Sequence, residues 1–558
     1  MEISVSDKLL PPSRSILETT YPGLLLAGLV FWWLGGFTDG FIGHPYGDMP
    51  DHVWGNEWFA QELRQGRWPT WVKDNHFPTG GVLWHIDPLG GCFRRILLFL
   101  PPHWIWNVYV FTLVFGFSWT VFLWSERLGA SRQAAMLLSV LSVFNPYMAG
   151  LIHSGLTEYM GLGFGVLFVL YLREQRWFVA GLWLMVIGLQ SFVVGLIASL
   201  FGVVHLWINI GVPRTREKLL KWLQVALPSL CVVLPFGILC LQTLHDSNAV
   251  FTPMDAPGWN FRRLPVVDLA GFVPPGDWVH PDTREWNPGI VQNHSLGWGW
   301  LICILFGLYT SVKKGWDSQL RTWAVFSLFA MGPRLSILRW MPMGGGILLP
   351  LAVFYIPESP FRWVHHPYHL VMFVWIASIP TVVLAARHMP KWLWVFIAIA
   401  TTGEVCTGSV PVPFVRTQFQ EDVSVEGPRL DFPPDHSTAN RTYLIQQLRH
   451  REPIAYGINQ WMPSVVFQDA GMQRWLKVLD DPVRRSQNRD QPPKPLKWLQ
   501  SSDDSTELGA LGFDWLVVHL QFLSFTEQQQ LRPLLDSELG DPSVESNGVW
   551  VYPLGKNE

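Results

Sequence analysis

Apolar stretches recur along this chain, separated by short polar connections and by a few long ones. Segments near 22–42, 104–125, 133–151, 156–172, 177–191, 193–211, 222–245, 297–312, 321–338, 367–386 and 391–408 each approach the roughly 20 residues that a transmembrane helix needs. The pattern predicts an α-helical polytopic membrane protein with about 11 transmembrane helices. Ile347–Ile356 is apolar but short, bounded by Gly344-Gly345-Gly346 and Pro357. It reads as a re-entrant or half-membrane element, whose non-helical backbone would need shelter from lipid.

The polar connections divide the rest. Residues 1–408 form the transmembrane portion, with a large first exterior loop at 43–103 and a second long exterior loop at 246–296. Residues 409–558 read as a small soluble α+β domain of about 150 residues, an ordinary size for a compact unit. Pro411 and Pro413 mark its linker; Thr442–His450 has the pattern of a helix, Phe513–Leu520 and Gly548–Leu554 of strands, and Asp480–Lys497 of a loop.

Charge gives the sidedness. With the N-terminus cytoplasmic, five short loops fall on the cytoplasmic face and all are basic: Arg127 and Arg132, Arg173 and Arg176, Arg214 to Lys221, Lys313 to Arg321, and Arg387 with Lys391. Basic loops stay inside. The acidic first loop and the C-terminal domain then lie outside, which in a bacterium means beyond the inner (plasma) membrane.

Composition agrees with the membrane class. The 558 residues are 49% hydrophobic and 15% charged, against about 25% charged in soluble proteins. A net charge of -3 without a long Lys/Arg run argues against nucleic acid. Many of the 32 tryptophans stand near segment ends, where the membrane interface favours them. The 5 cysteines lie in or beside apolar segments without metal-ligand spacing and read as packing residues.

The candidate chemistry concentrates in the first loop, which carries Asp48, Asp51, Glu57, Glu62, Asp74 and Asp87 with His52, His76 and His85, interleaved with Trp54, Trp58, Trp68, Trp71 and Trp84. Asp48-Met49-Pro50-Asp51-His52 can point two carboxylates the same way from one turn, one as a base and the other steadying a metal or a hydroxyl. The bland alternative is a set of solvated acids. An ordered loop of this length is uncommon without a task. Glu158, with His153 before it, is ionisable at the outer end of an apolar segment. Such a residue is either functional or paired with a nearby Arg or His. Arg334, Arg339 and Arg362 with His365, His366 and His369 cluster near the half-membrane element. Arginine suits bidentate phosphate contact, while anchoring at the headgroups is the bland reading. The second loop holds Arg262, Arg263, Asp268, Asp277, His280, Asp282 and Glu285, a weak signal alone. P-loop, GxSxG, HExxH and dinucleotide patterns are all absent.

Taken together, several stretches resemble the polytopic GT-C glycosyltransferases of the polyprenyl-phosphate-sugar-dependent type, bacterial members included. They are Gly47-Asp48, Gly66 to Trp71, Phe77-Pro78 with Gly80, Asp87-Pro88-Leu89, Leu296-Gly297-Trp298, Gly332 to Leu335, Leu349-Pro350, Ser359 to Arg362, Arg451 to Gly457 and Asp514 to His519. The resemblance implies an inverting transfer of a sugar from a polyprenyl phosphate to an extracytoplasmic glycan, lipid or protein acceptor. Asp48 would be the base, with Asp51 the fallback and a divalent metal, Mg or Mn, held there. Arg362, His365 and His366, with Arg334, would face the lipid phosphate. His366-Pro367-Tyr368-His369 stands where a second arginine belongs. The competing expectation is a non-catalytic scaffold or a transporter of lipid-linked glycans. A transporter should carry deep charges and an internal repeat, and the chain has few of the former and no obvious repeat.

Overall fold

The computed structural model describes residues 16–37, 40–45, 47–83, 87–245, 295–314, 318–331, 367–407, 416–417, 423, 425–434, 437–456, 464–467, 469–479, 508–546 and 548–554. In chain order the elements are α1 (Ile16–Trp33), β1 (Phe41–Ile42), α2 (Met49–Arg64), β2 (Trp71–Val72), β3 (Gly81–Val82), α3 (Pro88–Ile96), α4 (Pro102–Arg127), α5 (Arg132–Val143), α6 (Pro146–Ser154), α7 (Thr157–Met160), α8 (Leu162–Arg173), α9 (Trp177–Gln190), α10 (Phe192–Asn209), α11 (Arg216–His245), α12 (Gly297–Lys314), α13 (Ser318–Ala330), α14 (Val371–His388) and α15 (Lys391–Thr407). There follow β4 (Arg416–Thr417), β5 (Arg429–Phe432), α16 (Ser437–His450), α17 (Ser464–Phe467), α18 (Ala470–Val478), β6 (Trp515–His519), α19 (Phe525–Leu539), β7 (Val544–Ser546) and β8 (Val549–Pro553). Among the described residues, packing divides the chain into a helical unit within 16–52, 87–237 and 295–417, and a second unit within 53–83, 238–245 and 423–554.

In the helical unit α4, α10 and α14 are long and apolar enough to cross a membrane, and the pair α5 and α6 is a fourth candidate, bent by 45°. The bend has a local cause. Asn145 accepts the Met148 N–H at 2.9 Å, and Pro146 has no N–H to continue the helix of α5. The single span expected at 133–151 is therefore broken. The one expected at 156–172 is broken as well, at Gly161. A Cβ there would lie 1.5 Å from the Gln190 side-chain oxygen, and Gln190 donates to the Thr157 carbonyl at 2.8 Å. The first span also ends earlier than expected, at Trp33. Phe41 and Ile42 form a strand instead, antiparallel to β4 with Phe41 opposite Thr417. Asn107 of α4 pins that strand, accepting the Ile42 N–H and donating to the Gly40 carbonyl, each at 2.9 Å. Of the cysteines, Cys303 is buried while Cys92 and Cys231 are exposed, so packing accounts for only one of these three.

The second unit is a four-stranded sheet in the order β5-β6-β8-β7 with helices against it. β5 and β6 are parallel, with Leu430 opposite Leu516; β6 and β8 are antiparallel, with Val517 opposite Val551. The side-chain period of two sorts the faces. Leu430, Phe432, Leu516 and Val518 join the main core, while Val517, Val549 and Val551 pack on the other side. Ser524 and Glu527 close a capping box at the start of α19.

The first-loop tryptophans Trp54 and Trp58 belong to that main core, stacked at 6.0 Å. Trp54 Nε1 donates to Gln447 at 2.8 Å. The Phe77 N–H meets the Ile454 carbonyl at 3.1 Å and the Ile454 N–H meets the Asp74 carbonyl at 2.8 Å. Sequence pattern placed 43–103 with the transmembrane portion and began the soluble domain at 409; among the described residues, 53–83 pack with those within 423–554. These two tryptophans are core residues.

Candidate functional site

Two glycines decide how closely the start of the first loop meets the end of α6. A Cβ on Gly47 would lie 2.5 Å from the Ser154 carbonyl oxygen, and one on Gly155 would lie 2.3 Å from Met49 Cβ. With hydrogens there instead, the backbones touch. The Asp48 N–H donates to the Ser154 carbonyl at 2.8 Å, and the His44 N–H to the His153 carbonyl at 2.7 Å. Asp48 immediately precedes α2, and its carbonyl accepts the His52 N–H at 3.1 Å. Asp51 stands in the first turn. Both acids thus sit at the positive end of the helix dipole.

One turn into α2, the fully buried His52 meets Glu158 of α7, Nε2 to Oε2 at 2.8 Å. Burial opposes a charge on His52, but Glu158, with Asp87 and Asp48 nearby, outweighs it and lifts the imidazole to about 9. At neutral pH His52 is a buried cation among acids. Asp87 is fixed more tightly still. It caps α3 by accepting the Gly90 N–H at 2.9 Å, and it accepts the Tyr109 hydroxyl at 2.9 Å and the Thr157 hydroxyl at 2.6 Å. Burial pushes its carboxyl up, against the pull of His52 and these donors.

Of the sequence candidates, Asp48, His52, Asp87 and Glu158 are therefore electrostatic neighbours in one cluster. His153 is close by, its ring 4.9 Å from that of His44. Asp51, His52, Asp87 and Glu158 are buried, whereas Asp48 is half-buried. Asp48 is thus the cluster's partly exposed carboxylate. His369 stacks on Tyr159, next to Glu158, at 3.6 Å. Arg334, Arg339, Arg362, His365 and His366 lie outside the described residues, as do His85 and the charged positions named in the second loop. Residue patterns did not single out Thr157, Tyr109, Gln190 or His44. Thr157 and Tyr109 had one available signal, a hydroxyl inside an apolar segment.

Among the described residues no three His, Cys, Asp or Glu side chains gather as a metal-ligand set. Two carboxylates from one helix start do suit Mg, which takes one or two acids and completes its octahedron with waters and substrate phosphate oxygens. Asp48 and Asp51 fit that partial role and not a closed cage.

Two expectations follow from this geometry. Gly155→Ala puts a methyl into Met49 at a backbone with φ of 74°, which costs roughly 1–2 kcal/mol for the left-handed conformation alone. It must also push Asp48 off the end of α6. Membrane assays should record at least a tenfold loss of activity, since misplacement of about 1 Å costs on the order of a hundredfold. The second concerns pH. The folded His52 value, about 9, lies above the ordinary imidazole value of 6.5, so the pair stabilises fully below pH 6.5 and its contribution, on the order of 3 kcal/mol, fades as pH rises through 9. Melting of the full chain in detergent should fall across that window, and His52→Gln should flatten the decline.

The fold of the chain has a counterpart among the solved structures. It is similar to the arabinofuranosyltransferase AftD from Mycobacteria at a TM-score of 0.50 and 13% identity, 99% of this chain aligning with 40% of that one. The chain thus spans about 40% of the length of AftD. The archaeal oligosaccharyltransferase AglB from Archaeoglobus fulgidus, solved with an inhibitory peptide and a dolichol-phosphate, aligns over 94% of this chain and 71% of its own at 10% identity and a TM-score of 0.41. No family model and no curated protein matches the sequence. At these identities the likeness concerns the fold.

Proposed function

We propose that the protein is an inverting membrane glycosyltransferase that moves a sugar from a polyprenyl-phosphate donor to an extracytoplasmic acceptor, with Asp48 as general base. One observation carries the reading. Asp48 is the accessible carboxylate at the edge of a buried cluster of acids around His52, its backbone N–H held by the Ser154 carbonyl. A base must be positioned and reachable before its pKa matters. His52 and Glu158 position the start of α2, and Asp87 ties α3, α4 and α7 to it. The donor already carries a good leaving group. The chain needs only to take the acceptor proton and to steady the departing phosphate. Arg362, Arg334, His365 and His366 are assigned to the phosphate by their residue types and by their place in the sequence. A divalent ion on Asp48 and Asp51, when bound, would neutralise phosphate charge. In this reading about 11 segments cross the bilayer, as expected of apolar runs near 20 residues. The N-terminus is cytoplasmic, and the site and the 409–558 segment face outward.

The test is depletion of the chain in its native membrane, followed by mass spectrometry of lipid-linked sugars and glycans. A transferase leaves the sugar-loaded polyprenyl phosphate accumulated on the outer face. A transporter of lipid-linked glycans leaves it on the inner face, and a scaffold changes several glycans at once without accumulating a single donor.

A further inference from the structure

Helices α8 and α10, whose first residues follow Glu158 and Gln190, end in a second feature at their other termini. A cavity of about 540 Å³ is lined by Arg173 at the end of α8, His205 and Asn209 at the end of α10, and Thr215, Lys218 and Lys221 around the start of α11. The acidic cluster adjoins the opposite ends of these helices, through Glu158 before α8 and Gln190 before α10. The 12 residues of α8 and the 18 of α10 correspond to about 18 and 27 Å at 1.5 Å per residue. The cavity therefore lies at the ends of α8 and α10 away from the acidic cluster, among basic loops.

Its lining combines two kinds of group. Arg173, Lys218 and Lys221 bring three cations, offset in part by Glu217, which pairs with Lys221 at 2.6 Å. The Lys218 ammonium stands over the turn at Gly211, where a Cβ would lie 3.5 Å from it. Two acceptors face the same space. Asn209 sends its Nδ2 protons into the protein, to the His205 carbonyl at 2.7 Å and to Thr322 at 3.4 Å, and so offers the cavity Oδ1. His205 is 3% exposed, and its Nδ1 makes no hydrogen bond among the described residues. A buried nitrogen with no partner is costly. A ligand hydroxyl would satisfy it. Trp207, Val212 and Leu219, close in sequence to lining residues, are apolar and exposed.

We propose that this cavity binds a polyol phosphate, the headgroup of an anionic phospholipid, with its phosphate on Arg173, Lys218 and Lys221 and its hydroxyls on Asn209 and His205. The site does not depend on the transfer reading, because it lies at the opposite helix ends and shares no residue with the acidic cluster.

The full chain in nanodiscs tests this by native mass spectrometry of retained lipid. Phosphatidylglycerol should be retained at least fivefold over phosphatidylcholine, and also over phosphatidic acid, which has the phosphate without the hydroxyls. The double variant Lys218→Gln, Lys221→Gln should bring phosphatidylglycerol down to the phosphatidylcholine level, and Lys218→Arg with Lys221→Arg should restore it, so a folding defect is told apart from a lost charge. Asn209→Ala should erase the preference over phosphatidic acid. If soluble glycerol phosphate displaces the lipid at millimolar concentration, the chemistry stands and the ligand is soluble. Equal retention of phosphatidylglycerol and phosphatidylcholine, or full retention by the glutamine variant, overturns the proposal.

Discussion

Asp48→Asn is expected to lower sugar transfer in membranes by on the order of 10²–10⁴-fold, the usual contribution of a positioned general base. The substitution keeps the shape of the side chain and leaves untouched the hydrogen bond that holds the residue, since that bond runs from its backbone N–H to the Ser154 carbonyl. The helix N-terminus accepts asparagine as readily as aspartate. The protein should therefore reach the membrane at its normal level and melt within a degree or two of the original. What disappears is the proton acceptor. Glycan product should fall while polyprenyl-phosphate sugar accumulates, both read by mass spectrometry. Asp51→Asn is the internal control. Asp51 is 6% exposed, so an acceptor hydroxyl cannot reach it as it reaches Asp48, and its loss should cost less. A glycan profile in Asp48→Asn identical to that of the original protein would falsify the base assignment. A larger loss in Asp51→Asn than in Asp48→Asn would move the role to Asp51.

Asp431→Ala is expected to destabilise the second unit by about 3–5 kcal/mol, the cost of stripping one partner from a buried ion pair. Arg429 and Asp431 are both fully buried, two residues apart on β5, joined by bonds of 2.7 and 3.2 Å. His519 Nε2 lies 2.8 Å from the same carboxylate, and the Tyr456 hydroxyl donates to the Asp431 carbonyl. Burial opposes ionisation of Asp431, but Arg429, His519 and His450 overcome it and hold the carboxyl at about 2. Removing the acid leaves the guanidinium buried without its carboxylate. Denaturation of the full chain in detergent, followed by Trp fluorescence, reads the loss, because Trp475 and Trp550 lie in that core. The same network sets an acid limit. Both relevant folded values are depressed: Asp431 from 3.8 to about 2, and His450, by burial and then Arg429, from 6.5 to about 4. The contribution of this network is complete above pH 6.5. It declines as the unfolded chain takes up the His450 proton between pH 6.5 and 4, then falls again toward pH 2. Asp431→Ala that unfolds at the denaturant midpoint of the original would remove the network from any structural role.

The membrane class, the helical architecture and the crowd of acids in the first loop were legible from residue order alone. Apolar length and spacing are local properties, and burying a run of some 20 apolar residues in lipid needs no partner from elsewhere in the chain. Breaks were less legible. Gly161 and the Asn145-Pro146 pair interrupt apolar runs whose hydropathy is continuous, and only the cap hydrogen bonds and the fit against Gln190 reveal them. Pairing was not legible at all. Glu158 carried two open readings, functional or paired. The structure has it on His52, more than a hundred residues earlier, because Gly47 and Gly155 let two backbones touch. Asp87 read as one more loop acid until Tyr109 and Thr157 closed on it. Trp54 and Trp58 read as aromatics of the first loop, yet they fill a core completed by strands from the far end of the chain. Sequence by itself thus determined which stretches are apolar and which residue types could do chemistry. Tertiary structure alone decided which of those residues meet, because burial, ion pairing and close backbone approach are set by segments distant in sequence, and a local pattern carries no record of them.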